Sequence, residues 1–257
     1  ARLVREAGRR LATEHDAGMA RAVETCLALV VDRQADKLSS LARWDTSREN
    51  PQGTFGRQAL PIIWDFNEVN PLSGSGGDWG TALTWVNLVV EDDFLFNEDY
   101  YQIIGQANCF SANKHRLSDD AAKVFFTDPP YYDAVPYADL SDFFFVWLKR
   151  TVGDLHSSEF NDILTPKDEE CIVDEVKGKD KAYFEAKIGH AMAEGRRILT
   201  PDGIGVVVFA HKSTSGWEAL LQAMINAGWI FTGSWPIDTE MGTRLRAMNS
   251  AALASSI

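Results

Sequence analysis

Paired cysteine is the first thing this sequence lacks. Its 257 residues hold three cysteines, Cys26, Cys109 and Cys171, far apart and in no C-x-x-C spacing. That argues against a zinc ribbon and against a disulfide framework, and a reducing, cytoplasmic setting is the expectation. The five histidines do not pair at metal-ligand spacings, so no metal is expected. Apolar runs are short. None approaches the roughly 20 residues that span a bilayer, and no signal peptide opens the chain, so no membrane partner is expected. Basic charge is scarce as well: 25 Lys and Arg stand against 37 Asp and Glu, a net charge of −12. Residues 1–50 are near neutral, with nine basic and eight acidic residues, while residues 51–150 carry six against fourteen. No basic strip stands out for a nucleic acid to follow, and a solvated acidic surface is the plain reading.

What is present is the composition of a folded protein, 45% hydrophobic and 24% charged. Apolar residues at helical spacing predict helix over residues 2–42, with Leu27, Val31, Ala35 and Leu38 on one face. Residues 45–80 are rich in loop signals: Pro51, Pro61, Pro71 and the run SGSGGDWG. ALTWVNLVVE and YYQIIGQANCF each read as a strand leading to a turn. From Lys123 the rhythm is more regular. KVFFTD is a short buried strand, and LSDFFFVWLKR a helix opened by a Ser or Asp cap near Ser141, where Asp139 and Asp142 fit a capping role. KAYFEAKIGHAMAEGRRILTPDG is a helix stopped by Pro201, Asp202 and Gly203. IGVVVFAHK is a continuous apolar strand of the kind found in sheets covered on both faces. GWEALLQAMINAG is a helix ended by Gly228. WIFTGSWPI and SAALASSI are two further strands, the last antiparallel because its connection is too short for a crossover helix. This alternation predicts a doubly wound, Rossmann-like α/β sheet over residues 99–257, with strands at 123–128, 204–210, 229–235 and 251–257, preceded by a helical and loop-rich region over 1–98.

The chemistry concentrates in FFTDPPYYDAVPY, residues 125–137. In an open α/β sheet, ligands sit beyond the carboxyl ends of the strands, and Asp128 ends a strand. Proline fixes φ and lacks an N–H, so Pro129 and Pro130 make a stiff turn whose carbonyls can accept. A carboxylate and a neighbouring carbonyl are two acceptors aimed at one point, which suits an NH2 group. Tyr131 adds a flat face for a planar ring. The exocyclic amine of adenine is a poor nucleophile because its lone pair is delocalised. Two acceptors holding its hydrogens favour a pyramidal nitrogen and stabilise the charge that develops as it attacks a methyl donor.

Asp128-Pro129-Pro130-Tyr131 resembles the catalytic motif of S-adenosylmethionine-dependent amino-methyltransferases that act on adenine in DNA. FGRQALPIIWDFNEVNP, DPPYYDAVPYADLSDFFFVWLKR, TPKDEE, GIGVVVFAHK, WPIDTE and SAALASSI together resemble a family of large adenine-specific DNA methylases, over most of the chain from about Ala22. The resemblance implies S-adenosylmethionine as cofactor, DNA as partner, a target base flipped out of the duplex, and restriction-modification or phage-defence settings with partner proteins of such systems. It also implies a glycine-rich cofactor loop upstream of these blocks. NPLSGSGGDWG has the glycines but follows no apolar strand and reads as a flexible loop. The chain is therefore expected to be a C-terminal fragment with an incomplete cofactor half, binding S-adenosylmethionine weakly or not at all by itself. By the same resemblance Gln106, Ala107 and Asn108 in IIGQANCF would lie beside the adenine of the cofactor, with Gln106 standing where an aspartate is more usual.

Around the motif, Asp133, Tyr132 and Tyr137 are candidates for ordering the target base or lining a DNA channel, and they can equally serve only to cap the helix that starts near Ser141. His211 and Lys212 follow a strand, and Lys212 could meet a phosphate. FFFVWL is expected to be core. Asp238 and Glu240 could form a carboxylate pair for hydrolysis, but no nucleophile motif accompanies them. Three functions stay open: methylation of DNA adenine, methylation of an RNA base or a protein amide, and a non-catalytic DNA-binding or scaffold role.

Overall fold

The computed structural model describes residues 1–56, 59–91, 105–211 and 213–237. Among them are six α-helices and two small sheets, a mixed α/β chain. It separates into two compact units. One comprises Ala1–Ala107 and Tyr137–Lys167, the other Asn108–Pro136 and Asp168–Ile257. The division differs from a single boundary near residue 98: residues 137–167 belong with the amino-terminal helices.

In the first unit, the helix expected over 2–42 is two helices, α1 (Arg2–Glu14) and α2 (Ala17–Lys37). The break is chemical. Asp16 leaves the helical region and its carboxylate accepts from the N–H groups of Gly18 (2.6 Å) and Met19 (3.2 Å), capping α2. Helix α2 packs against α1, α3 (Trp79–Val90) and α4 (Tyr137–Val152), burying Ala28 and Val30. Helix α3 corrects the reading of ALTWVNLVVE as a strand. Asp78 caps it by accepting from Thr81 N–H at 2.7 Å, and Ala82, Leu83 and Val86 turn inward at helical spacing. Helix α4 starts at Tyr137, four residues before the expected Ser141. Asp142 is accordingly not its cap: it lies in the second turn, accepts from the N–H and hydroxyl of Thr165, and pairs with Lys167 at 2.7 Å. Burial pushes the Asp142 carboxyl up, but Lys167 and Thr165 more than offset this and hold it below the usual range. The phenylalanines of FFFVWL do pack inward: Phe143 and Phe144 meet Phe55, and Phe145 meets Phe160. A hairpin of two-residue strands, β1 (Trp44–Asp45) antiparallel to β2 (Asn50–Pro51), belongs to the same unit.

The second unit is built on β3 (Ala122–Thr127) and β4 (Leu199–Val207), paired parallel with Thr127 opposite Val207. Helix α5 (Lys181–Ile198) runs directly into β4. Pro201, Asp202 and Gly203 thus lie inside the strand rather than at a helix stop, and the register is irregular between Ala122 and Val124, opposite them. Helix α6 (Thr214–Asn226) packs on α5. The core between them holds Phe184, Ile188, Met192, Phe209, Leu220 and Met224. Alternation sorts the strands: Phe125 and Val207 face this core, while Val124, Phe126, Ile204 and Val206 are exposed. Among the described residues, the core covers one face of this strand pair. Gly205 permits the cover to come close, since a Cβ there would stand 2.1 Å from the Trp229 ring. Residues 229–235, expected as a strand, form no ladder. Trp229 is instead tied back, donating its indole N–H to the Met192 carbonyl at 2.9 Å, while Ile230 and Trp235 are exposed. The segment 251–257 lies outside the described residues.

Candidate functional site

The motif follows β3 without a break. Val208 N–H donates to the Thr127 carbonyl at 2.9 Å, extending the ladder to the residue before Asp128. Asp128 is exposed at the carboxyl end of the parallel pair, and Pro129 behind it is buried. The backbone then tightens. Tyr132 N–H donates to the Pro130 carbonyl (3.1 Å) and Ala134 N–H to the Tyr131 carbonyl (2.9 Å). The Pro130 carbonyl is thus engaged within the turn, while that of Pro129 is outside the turn's own hydrogen bonds.

Tyr132 is the strained member. Its φ is +52°, the left-handed region that a bulky side chain rarely adopts. Several contacts hold it there. Val173 N–H donates to its carbonyl at 3.0 Å. Its ring meets the edges of Phe184 (5.1 Å) and His211 (5.3 Å), and it is 8% exposed. Burial pushes its phenol above the usual range. Tyr132 is therefore part of the core, not a side chain offered to a base. Tyr131, half-buried, leans edge-on against Phe209 at 5.6 Å.

His211 was visible in the sequence only as a residue after a strand. It is 4% exposed and lies across the turn. Ser213 N–H donates to its Nδ1 at 3.1 Å, which leaves Nε2–H to donate to the Asp133 carboxylate at 2.9 Å. Its carbonyl accepts from the Trp217 indole at 2.8 Å. Ser213 Oγ is also 2.9 Å from Nδ1, so Ser213, His211 and Asp133 have the outline of a nucleophile, base and carboxylate. The chemistry does not follow. Ser213 Oγ caps α6 by accepting from the Gly216 N–H, and the hydroxyl shares the single lone pair of Nδ1 with the Ser213 backbone N–H.

The other expected site residues are placed differently. Gln106, Ala107 and Asn108 lie in exposed chain without regular structure, so the described part of IIGQANCF does not end a strand. Tyr137 is the exposed first residue of α4. Lys212, Asp238 and Glu240 lie outside the described residues. The glycines of SGSGGDWG lead into the cap of α3 in the first unit, where Gly74 N–H donates to Asp78 at 2.8 Å. Among the described residues no group of three or more His, Cys, Asp or Glu side chains could hold a metal ion, and no helix is long and apolar enough to cross a membrane.

Comparison with protein-family models, with curated proteins and with solved structures returns no match for this chain.

Proposed function

We propose that the Asp128–Tyr131 turn binds the exocyclic amine of an adenine base and activates it for methylation, making the chain part of a DNA adenine methyltransferase. One observation carries this reading: an exposed carboxylate stands at the carboxyl end of a parallel strand pair, followed by a proline whose carbonyl is outside the turn's own hydrogen bonds. Asp128 and the Pro129 carbonyl would each accept one amine hydrogen. As the nitrogen becomes positive, both bonds strengthen, so the acceptors stabilise the transition state more than the bound base. Tyr131 would cover one face of the flipped ring, its orientation set by Phe209.

The described residues do not form a cradle for S-adenosylmethionine. Residues 105–110 are irregular and largely exposed, and the glycine run leads into a helix cap, so neither offers the cofactor a seat. The same observation favours a second reading, a non-catalytic DNA-binding component that keeps the amine-binding turn. Mass spectrometry of DNA incubated with the full-length protein and isotope-labelled S-adenosylmethionine separates them. Label on the adenine amine supports the first. Base-dependent binding without label supports the second. Label on RNA or protein amide, with none on DNA, overturns the substrate.

A further inference from the structure

The geometry points to His211 as the positioning residue of the Asp128–Tyr131 turn, acting through Asp133 and Tyr132. This rests on the proposed role of that turn for its consequence in turnover, but not for the clamp itself.

The turn has a mechanical problem. Its backbone passes through a left-handed residue that is not glycine, Tyr132 at φ +52°. Alone, such a residue relaxes toward ordinary φ and carries its neighbours with it. Three restraints oppose that. The Val173 N–H holds the Tyr132 carbonyl, and Phe184 stops the ring on one side. His211 supplies the third twice over: its ring meets the Tyr132 ring, and its Nε2–H holds the Asp133 carboxylate one residue further on. Tyr131 is tied to the same element, since Phe209 packs both on its ring and parallel to the His211 ring. Residues 131–133 are thus each referenced to the stretch that follows β4.

His211 itself is held from four directions. Nδ1 accepts from Ser213, the carbonyl accepts from Trp217, the ring stacks on Phe209, and Gly216 lies beneath it. A Cβ at Gly216 would stand 2.4 Å from Nδ1, so only glycine lets the ring lie on the first turn of α6. A side chain buried and fixed this thoroughly, yet ending on a carboxylate that is half exposed, serves the loop it ends on. The hydrogen bond is also separable from burial. Asp133→Ala removes it without touching the core, and Asp133→Asn keeps an oxygen that Nε2–H can still meet.

Hydrogen exchange followed by mass spectrometry reads the clamp without any activity. Asp133→Ala and His211→Ala should speed exchange of the Ala134 and Val173 amides roughly tenfold or more, while α4 in the other unit keeps its protection. Asp133→Asn should restore most of that protection. Wild-type exchange in Asp133→Ala, or no rescue by Asp133→Asn, overturns the proposal. His211→Ala losing protection throughout the second unit would mark general unfolding, and the Asp133 pair then decides. Turnover on DNA adenine is the second arm. The clamp predicts kcat roughly 10- to 100-fold lower in Asp133→Ala, with KM for S-adenosylmethionine unchanged and the rate largely recovered in Asp133→Asn. If the full-length protein methylates nothing, the proposed function fails while the exchange arm still stands on its own.

Discussion

Tyr131 and Tyr132 are adjacent and chemically alike, yet the fold gives them different work. Tyr132 is buried against Phe184 and His211, and Tyr131 keeps a partly open ring against Phe209. Tyr131→Ala should therefore weaken capture of a flipped base by roughly 1–3 kcal/mol through lost stacking, and Tyr131→Phe should be nearly silent. Fluorescence titration with duplexes carrying a destabilised adenine checks both; equal loss in the two variants would show that the hydroxyl, not the ring face, is what counts. Asp32 on α2 makes a prediction of another kind. It is 9% exposed, its Oδ1 has no hydrogen-bond partner, and burial raises its carboxyl from 3.8 to about 7. The folded chain holds that proton while an unfolded chain has lost it, so stability falls as pH rises from about 4 to about 7 and is level above. Asp32→Asn removes the penalty. Urea unfolding should show the variant gaining on the order of 2–4 kcal/mol at pH 8 and little at pH 4. A gain independent of pH would contradict the assignment.

At the scale of elements, α6 begins where His211 needs room. Gly216→Ala would drive a methyl group into a ring that is buried and held, and should cost about 1–3 kcal/mol despite alanine's better helix propensity. Denaturant unfolding at constant pH measures it, and a stabilised variant would mean the ring has space to move. The elements were legible where pattern and punctuation agreed. KVFFT and GWEALLQAMIN carry both, and they are β3 and most of α6. Legibility failed where two signals competed. ALTWVNLVVE is rich in β-formers, and the Asp78 cap that makes it a helix lies just outside that window. TPDG reads as a stop, yet pairing with β3 carries the chain through it. Residues 229–235 have strand composition, but Trp229 is fixed to α5 and the chain beyond it makes no ladder. The site divides the same way. Asp128 and its prolines are contiguous and readable. The His211–Asp133 bond joins residues 78 apart, and no local pattern reports it.

At the scale of the molecule, the two units have separate tasks in this account. The helical unit contains the glycine run as the lead-in to a cap, and the α/β unit contains the turn. The net charge of −12 gives no general attraction to DNA, so under the proposed function binding would rest on the site and on few phosphate contacts. The central claim is that Asp128 stabilises positive charge on an amine. Single-turnover methyl transfer to duplex DNA, with the full-length protein in excess and labelled S-adenosylmethionine, tests it most directly. Asp128→Ala should be slower on the order of 100- to 1000-fold, as for loss of other preorganised acceptors, with DNA affinity nearly unchanged. Asp128→Asn should fall between, because its oxygen accepts but carries no charge. Wild-type rates in Asp128→Ala would contradict the account and reduce the Asp128–Tyr131 turn to a stiff corner at the end of β3.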